Sequence, residues 1–237
     1  MPLIACRSLI LLICLLAAAC SSTRPRLGQA EGSLRLAQAP ILLMPVDVEL
    51  SALLATGLSE PRADWTDTAR ELLQSGLGAR LQDAGALPLA MPADRLDPEL
   101  RQVELLYQAV ASSILSAELQ PENLPTKRGR FDWTLGPAAA DRLRAAAPRL
   151  AGDTPPRYAL FCYVRDSYAS SGRKALMVVG PLLGLGVQGG KQIGVASLVD
   201  LHDGRVVWFN LLIAQSGDLR ESEAAKLVTE RLLDGLL

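Results

Sequence analysis

Several short stretches of this sequence have the residue types and spacing of reactive chemistry. His202 lies between Asp200 and Asp203, an imidazole and two carboxylates within four positions, as a divalent-metal site would want. On a strand, however, Asp200 points along the ladder while Asp203 serves a turn. With His202 the only histidine and Cys162 on another strand, the ligands are too few, so the expectation is an exposed turn histidine and no metal. Gly184 to Gly189 spells G-x-G-x-x-G. A dinucleotide site needs that motif between a strand and a helix, so that phosphate meets a helix amino terminus. Here Pro181 interrupts the run before it and a β-branched strand follows it, which predicts a glycine-rich bend beside a sheet and no nucleotide cofactor. Asp47 and Glu49 share one face of a strand and could do acid–base work or hold a cation. With no third ligand nearby they read as a solvated strand end. Cys162 sits in YALFCYV with no histidine close in sequence, so it reads as a small buried hydrophobe rather than a catalytic thiol. No G-x-S-x-G elbow, H-E-x-x-H or Walker loop is present.

The elements that must position these groups centre on Gln192 to Ala214, which reads as two strands joined at Asp203-Gly204. Asp-Gly between apolar runs predicts a type I′ turn, with positive φ at both central residues. In the first strand Ile193, Val195, Val199 and Leu201 share a parity opposite to Gln192, Gly194, Ala196 and Asp200, which predicts one heavy, buried face. The second, Val206 to Ile213, is apolar on both parities and belongs inside a sheet.

Earlier in the chain, Pro40 to Leu50 reads as the first strand, central in the sheet, with a bulge or stop at Pro45. Leu54 to Asp64 reads as a loop. Helix one follows with a capping box at Thr68 and Glu71, a stripe of Ala69, Leu72, Leu73, Leu77, Leu81 and Ala84, and Gly85 as its stop. Leu87 to Met91 is a short strand. Asp97-Pro98 opens helix two, with Leu100, Val103, Tyr107, Val110 and Ile114 inward and an end near Leu119. In the connection after it, Lys127, Arg128 and Arg130 flank Phe131 and Trp133. Contact with anionic headgroups or glycan is the functional alternative there, and a solvated loop with its aromatics anchored on the core is the expectation. Helix three spans Pro137 to Ala147, and a long strand Arg157 to Ser167. The last helix opens at Asp218 and Glu221 with Leu227, Val228, Leu232 and Leu236 inward.

Of 237 residues, 49% are hydrophobic but only 4% aromatic, so Leu, Val and Ala must supply the core. A formal net charge of −1 without a basic stripe argues against nucleic acid.

Residues 1–19 read as a secretion signal: Arg7, an apolar core from Ser8 to Leu16, then small residues before Cys20. The LAAAC stretch resembles the lipobox of bacterial lipoprotein leaders. In that family the cysteine becomes the lipidated first residue, palmitate among its acyl chains, and a following Ser21 implies export to the outer membrane, facing the periplasm. Ala17 departs from the usual leucine. Residues 20–39 then read as lipidated cysteine plus flexible tether, with a reach of about 60 Å at ~3.3 Å per residue.

Residues 40–237 carry a wider resemblance. Tyr158, Ala159 and Leu160 precede a hairpin in which Asp200, Gly204 and Trp208 form D-x-x-x-G-x-x-x-W. This is similar to the domain shared by curli-secretion lipoproteins, lipoprotein activators of penicillin-binding proteins and the amino-terminal domain of TolB. DWTLG at 132–136 and SLVDL…VVWFN at 197–210 resemble a group of proteobacterial lipoproteins still more closely. His202-Asp203 replaces the usual threonine-containing turn. The resemblance implies one α/β domain, a mixed sheet packed with helices. It also implies a non-catalytic, membrane-anchored envelope accessory protein that binds an envelope protein or assembles with itself. The alternative is an envelope hydrolase acting on peptidoglycan or lipid, for which a cleft uniting Asp47, Glu49 or Asp166 would be the sign.

One run stays open. Ala175 to Gly190 has no charged residue and follows the polar, flexible stretch Tyr168 to Lys174. Leu176, Met177, Val178, Val179, Leu182, Leu183, Leu185 and Val187 could form a core strand, dip into a membrane surface or meet another subunit. The expectation is that part of this run is exposed in the isolated monomer. It is too short to cross a bilayer as a helix.

Overall fold

The computed structural model describes residues 22–28, 34, 36–120, 122, 124–127, 129–147, 154–183, 189–214 and 217–237, with Leu182 and Leu183 described for their backbone alone. In chain order the strands are β1 (Ser22–Leu27), β2 (Pro40–Leu43), β3 (Asp47–Leu53), β4 (Ser59–Pro61), β5 (Leu87–Ala90), β6 (Tyr158–Ala169), β7 (Gln192–Asp200) and β8 (Val206–Ala214). The helices are α1 (Ala63–Asp83), α2 (Pro98–Leu119), α3 (Pro137–Ala146), α4 (Ser171–Val179) and α5 (Ser222–Leu232). One mixed eight-stranded sheet runs β1-β8-β7-β6-β2-β5, with β3 also on β6 and β4 on β3. Helices pack on both faces: α1 and α5 with Val164, Leu198 and Leu212 on one, α2 and α3 with Phe161, Val199 and Phe209 on the other. This is an α/β fold.

β6 is the central strand. Its amino half pairs in parallel with β2 and its carboxyl half with β3, along the same edge. The single strand read over Pro40 to Leu50 is therefore two, interrupted at Pro45, which has no N–H to give a ladder. Gln74 of α1 accepts the Val46 amide at 3.1 Å across that break. Thr66, at 2.9 Å, accepts the Leu50 amide that faces away from β6.

Three local expectations are corrected. Helix one begins at Ala63 rather than at a Thr68 capping box, and Thr68 donates back to the Asp64 carbonyl within the helix. The loop before it contains β4. Residues 22–27 of the expected tether form β1, antiparallel to β8 from Ser22↔Ile213 to Leu27↔Trp208. Pro25 lies in that strand, where an edge tolerates the missing donor. By contrast, Asp97 caps α2 through the amides of Glu99 and Leu100, and Gly85 stops α1 at φ +78, as the sequence reads. Such a side-chain cap contributes about 1 kcal/mol.

The hairpin is present but its turn is not type I′. Only Gly204 has positive φ (+80), not Asp203. The loop runs Leu201 to Gly204, closed by Asp200 N–H to the Arg205 carbonyl and Gly204 N–H to the Asp200 carbonyl, each 2.8 Å. The Gly204 carbonyl accepts the Leu135 amide at 2.8 Å, so DWTLG rests directly on the turn. β7 is buried on both faces, not one. Gly194 and Ala196 are small because α5 lies close: a Cβ on Gly194 would come within 2.7 Å of Leu232. In α5, Leu227 is exposed rather than inward, while Val228 and Leu232 are buried.

Candidate functional site

The register of β3 against β6 decides where the carboxylates go. Asp47 pairs with Tyr163 and Leu50 with Asp166, so Asp47 and Asp166 differ in parity and project from opposite faces. On the α2 face, Asp47 receives Arg165 at 2.8 Å and Gln108 at 3.0 Å. Arg165 also lies 4.1 Å from the Tyr163 ring centroid. Glu104 of α2 faces this cluster, and partial burial, then the Asp47 charge, raises its pKa. Glu49 is exposed. Asp47 and Glu49 share that face, as the spacing requires, and Asp166 does not join them.

On the α1–α5 face, Asp166 is buried at the carboxyl end of β6. Its Oδ2 accepts the Tyr168 hydroxyl at 2.6 Å and Gln192 Nε2 at 2.7 Å. Gln192 is its cross-strand neighbour on β7, and the buried Gln192 Oε1 has no hydrogen-bond partner among the described residues. Tyr168 in turn accepts the Leu219 amide at 2.8 Å. Arg220 stacks 4.2 Å from Trp65 and 5.0 Å from Tyr168, steered by Asp218 at 2.7 Å. Burial pushes the Asp166 carboxyl up to about 6 against hydrogen bonds from Tyr168, Gln192 and the Ser167 backbone, and burial with the Asp166 charge pushes the Tyr168 hydroxyl up. The Arg220 hydrogen bond holds Asp218 below the usual carboxylate range. A recess of about 270 Å³ borders this cluster between Ser167, Gly190 and Gly217. Gly190 is required there, because a Cβ would lie 1.6 Å from the Ser167 carbonyl. The arrangement can take up a proton in mildly acidic conditions.

The sequence could have offered this cluster. Asp166 and Tyr168 share a strand face by their spacing of two, and both long strands end in polar residues there. What it lacks is any sign that Gln192 lies opposite.

The other candidates are dispersed. Cys162 is buried, and burial pushes its thiol up to about 12. Asp200 accepts the His202 amide and the Arg157 guanidinium, both at 2.8 Å, while Asp203 accepts the Arg205 amide. Among the described residues no three His, Cys, Asp or Glu side chains converge. Gly184 to Gln188, with Leu185 and Val187 among them, lie outside the described residues, as do Cys20 and Arg128 of the basic cluster. Lys127 and Arg130 both pair with Asp132, and Lys127 lies over Trp133 at 4.6 Å.

The run from Leu176 is not a strand. Ser170 caps α4 through the Arg173 amide, and α4 continues into a 3-10 turn, Gly180–Leu183. Leu176 is half-buried, whereas Met177 (37%), Val178 (75%) and Val179 (47%) are exposed. No described helix is long and apolar enough to cross a membrane.

No family model matches the chain, and no curated protein matches it. Among solved structures it is similar to the PelC dodecamer from Paraburkholderia phytofirmans, at 14% identity and a TM-score of 0.40 over 90% of this chain and 95% of that one. A variant of the same dodecamer gives 15% identity and 0.39 over 90% and 96%.

Proposed function

We propose that this protein is a non-catalytic accessory lipoprotein of the bacterial envelope. Acyl chains on Cys20 hold it to the periplasmic side of the outer membrane, and it binds a protein partner or a second copy of itself. The observation that carries the reading is the outward face of α2. From Leu105 to Ala117 this helix has no charged residue, and Leu105 (63%) and Leu106 (41%) are exposed. A helix face that stays in water is normally charged or polar, and an uncharged one with exposed leucines suits a covered surface. Anchoring is supported by LAAAC after an apolar core, since two acyl chains hold a protein stably where one does so marginally. The rival hydrolase needs Asp47, Glu49 or Asp166 in one cleft, and the sheet separates Asp166 from the other two.

Crosslinking in intact membranes followed by pull-down tests the binding. The lipidated wild type should capture itself or one envelope protein, and Leu105→Glu should fold normally and lose that product. An unchanged product, or none from wild type, removes this use of α2. Fractionation tests the anchor: Cys20→Ala should move the protein from the membrane to the soluble periplasmic fraction, and a variant that stays on the membrane is not held by lipid.

A further inference from the structure

The strand register brings the anchor and the exposed apolar helix to one end of the molecule. Ser22 starts β1 and stands opposite Ile213 of β8, which stands opposite Ile193 of β7, which stands opposite Arg165 of β6. These four residues form one row across the sheet. β1 runs inward from that row, so its first residue, Ser22, stands at the end of the sheet. β6 runs outward past the row to Ala169, and α4 begins two residues later. The row spans roughly 14 Å from β1 to β6, at about 4.8 Å per strand. Ala169 stands roughly 13 Å beyond it at ~3.3 Å per residue. Cys20 precedes Ser22 by two positions, so its Cα lies within about 7 Å of Ser22. Between a lipidated Cys20 and the first residue of the sheet there is thus one residue, Ser21, not twenty.

The same end carries exposed apolar side chains. Met177, Val178 and Val179 lie on α4. Leu58, 67% exposed, lies in the β3–β4 turn that packs against α4. Arg173 of α4 donates to the Leu54 carbonyl at 3.3 Å, and a Cβ on Gly172 would touch Ala55 at 3.5 Å. Exposed Lys174 precedes Met177, Val178 and Val179 in the chain, and exposed Lys191 donates its amide to Ser167 of β6 at the same end. Glu221 and Glu223, at the start of α5, offset their charge, so apolar contact rather than charge must drive any docking here.

We infer that this end of the sheet is a membrane-contact face. Leu58, Met177, Val178 and Val179 enter the headgroup region of the phospholipid leaflet that holds Cys20, and the domain sits flush on the bilayer rather than swinging on a tether. Acylation of Cys20, part of the function proposed above, is the premise. An amphipathic helix seated this way buries its apolar face about 5–10 Å into the boundary of headgroup and acyl chain. The lysine stems can lie along that boundary with their charges in water.

The test uses full-length lipidated protein in vesicles of phosphatidylcholine, with and without bromine on the acyl chains near the glycerol. A fluorophore is placed by Val178→Cys or Leu58→Cys, and by His202→Cys at the opposite end of the sheet. All three sites are exposed, and buried Cys162 is shielded from the reagent. Bromolipid should quench the labels at 178 and 58 by about two-fold, the depth at which such helices lie, and leave the label at 202 unchanged. If the protein carries its lipid by intact mass and floats with the vesicles, but 178 and 58 are not quenched, this inference is overturned and the anchor stands. Equal quenching at all three sites overturns it as well, since the domain then has no preferred face. If no acyl mass is found on Cys20, the anchor falls and the contact face with it.

Discussion

Asn210, wholly buried in β8, accepts the amide of Arg24 in β1 at 3.2 Å. Its Nδ2 donates to the carbonyls of Arg231 (2.7 Å) and Leu232 (3.1 Å) at the end of α5. One side chain thus ties the edge strand, the sheet and the last turn of a helix, whose final carbonyls have no partner within the helix. Asn210→Leu keeps the branched shape, removes the side-chain partner of the Arg24 amide and the Leu232 carbonyl, and leaves the Arg231 carbonyl only the Asp234 amide. Each buried orphan costs about 1–3 kcal/mol. Chemical denaturation should show a loss within that range or above it, and hydrogen exchange at the Arg24 amide should quicken more than at the centre of β7. A variant as stable as wild type means β1 is not held this way.

Gly204→Val strains the backbone at φ +80, and its Cβ would also meet the Gly136 carbonyl oxygen at 2.2 Å. The strain alone costs about 1–3 kcal/mol, and the overlap must displace backbone rather than a flexible side chain. We expect a loss of about 3 kcal/mol, or roughly 6–12 °C in Tm for a domain of this size. Calorimetry checks it, and a Tm shift below 2 °C, less than about 1 kcal/mol, would count against the observed turn.

Asp166 holds its proton up to about pH 6 in the fold, against an ordinary value near 4 in the unfolded chain. As pH rises from about 4 to about 6, the unfolded chain releases this proton first. The folded state then binds more protons, so this group's contribution falls across that window and stays low above it. The cost at neutral pH is on the order of 3 kcal/mol. Asp166→Asn keeps an oxygen for Tyr168 and removes the titration. Its stability relative to wild type should therefore rise between about pH 4 and neutrality, measured by urea unfolding at each pH. A difference that does not change with pH would show that Asp166 titrates normally.

The elements with strong periodic signals were legible in the sequence. Asp97-Pro98 marks the start of α2, Gly85 the stop of α1, and the doubly apolar Val206–Ile213 run an interior strand. β1 was not legible, because an edge strand need only supply backbone. STRPRL has no apolar alternation, and its partner Asn210 lies nearly the whole chain away. α4 was hidden for the opposite reason: Leu176 to Val179 is apolar enough for a strand, and the local sign of a helix is the single Ser170 cap onto the Arg173 amide. Asp47 and Glu49 were correctly placed together from spacing alone. That Asp166 lies across the sheet from them depends on the register of β3 against β6, which no local pattern encodes.

The pairing of β1 with β8 also sets an order of assembly. Arg24 and Asn210 are 186 positions apart. Contacts between such distant residues form late, because the intervening chain must first be organised before closure is favourable. Until β1 arrives, the outer edge of β8, an apolar strand with open backbone groups, is free to pair with another chain. The segment made earliest is thus the one that seals the sheet last. Concentration during refolding, rather than native stability, should then decide how much of this protein reaches its native fold.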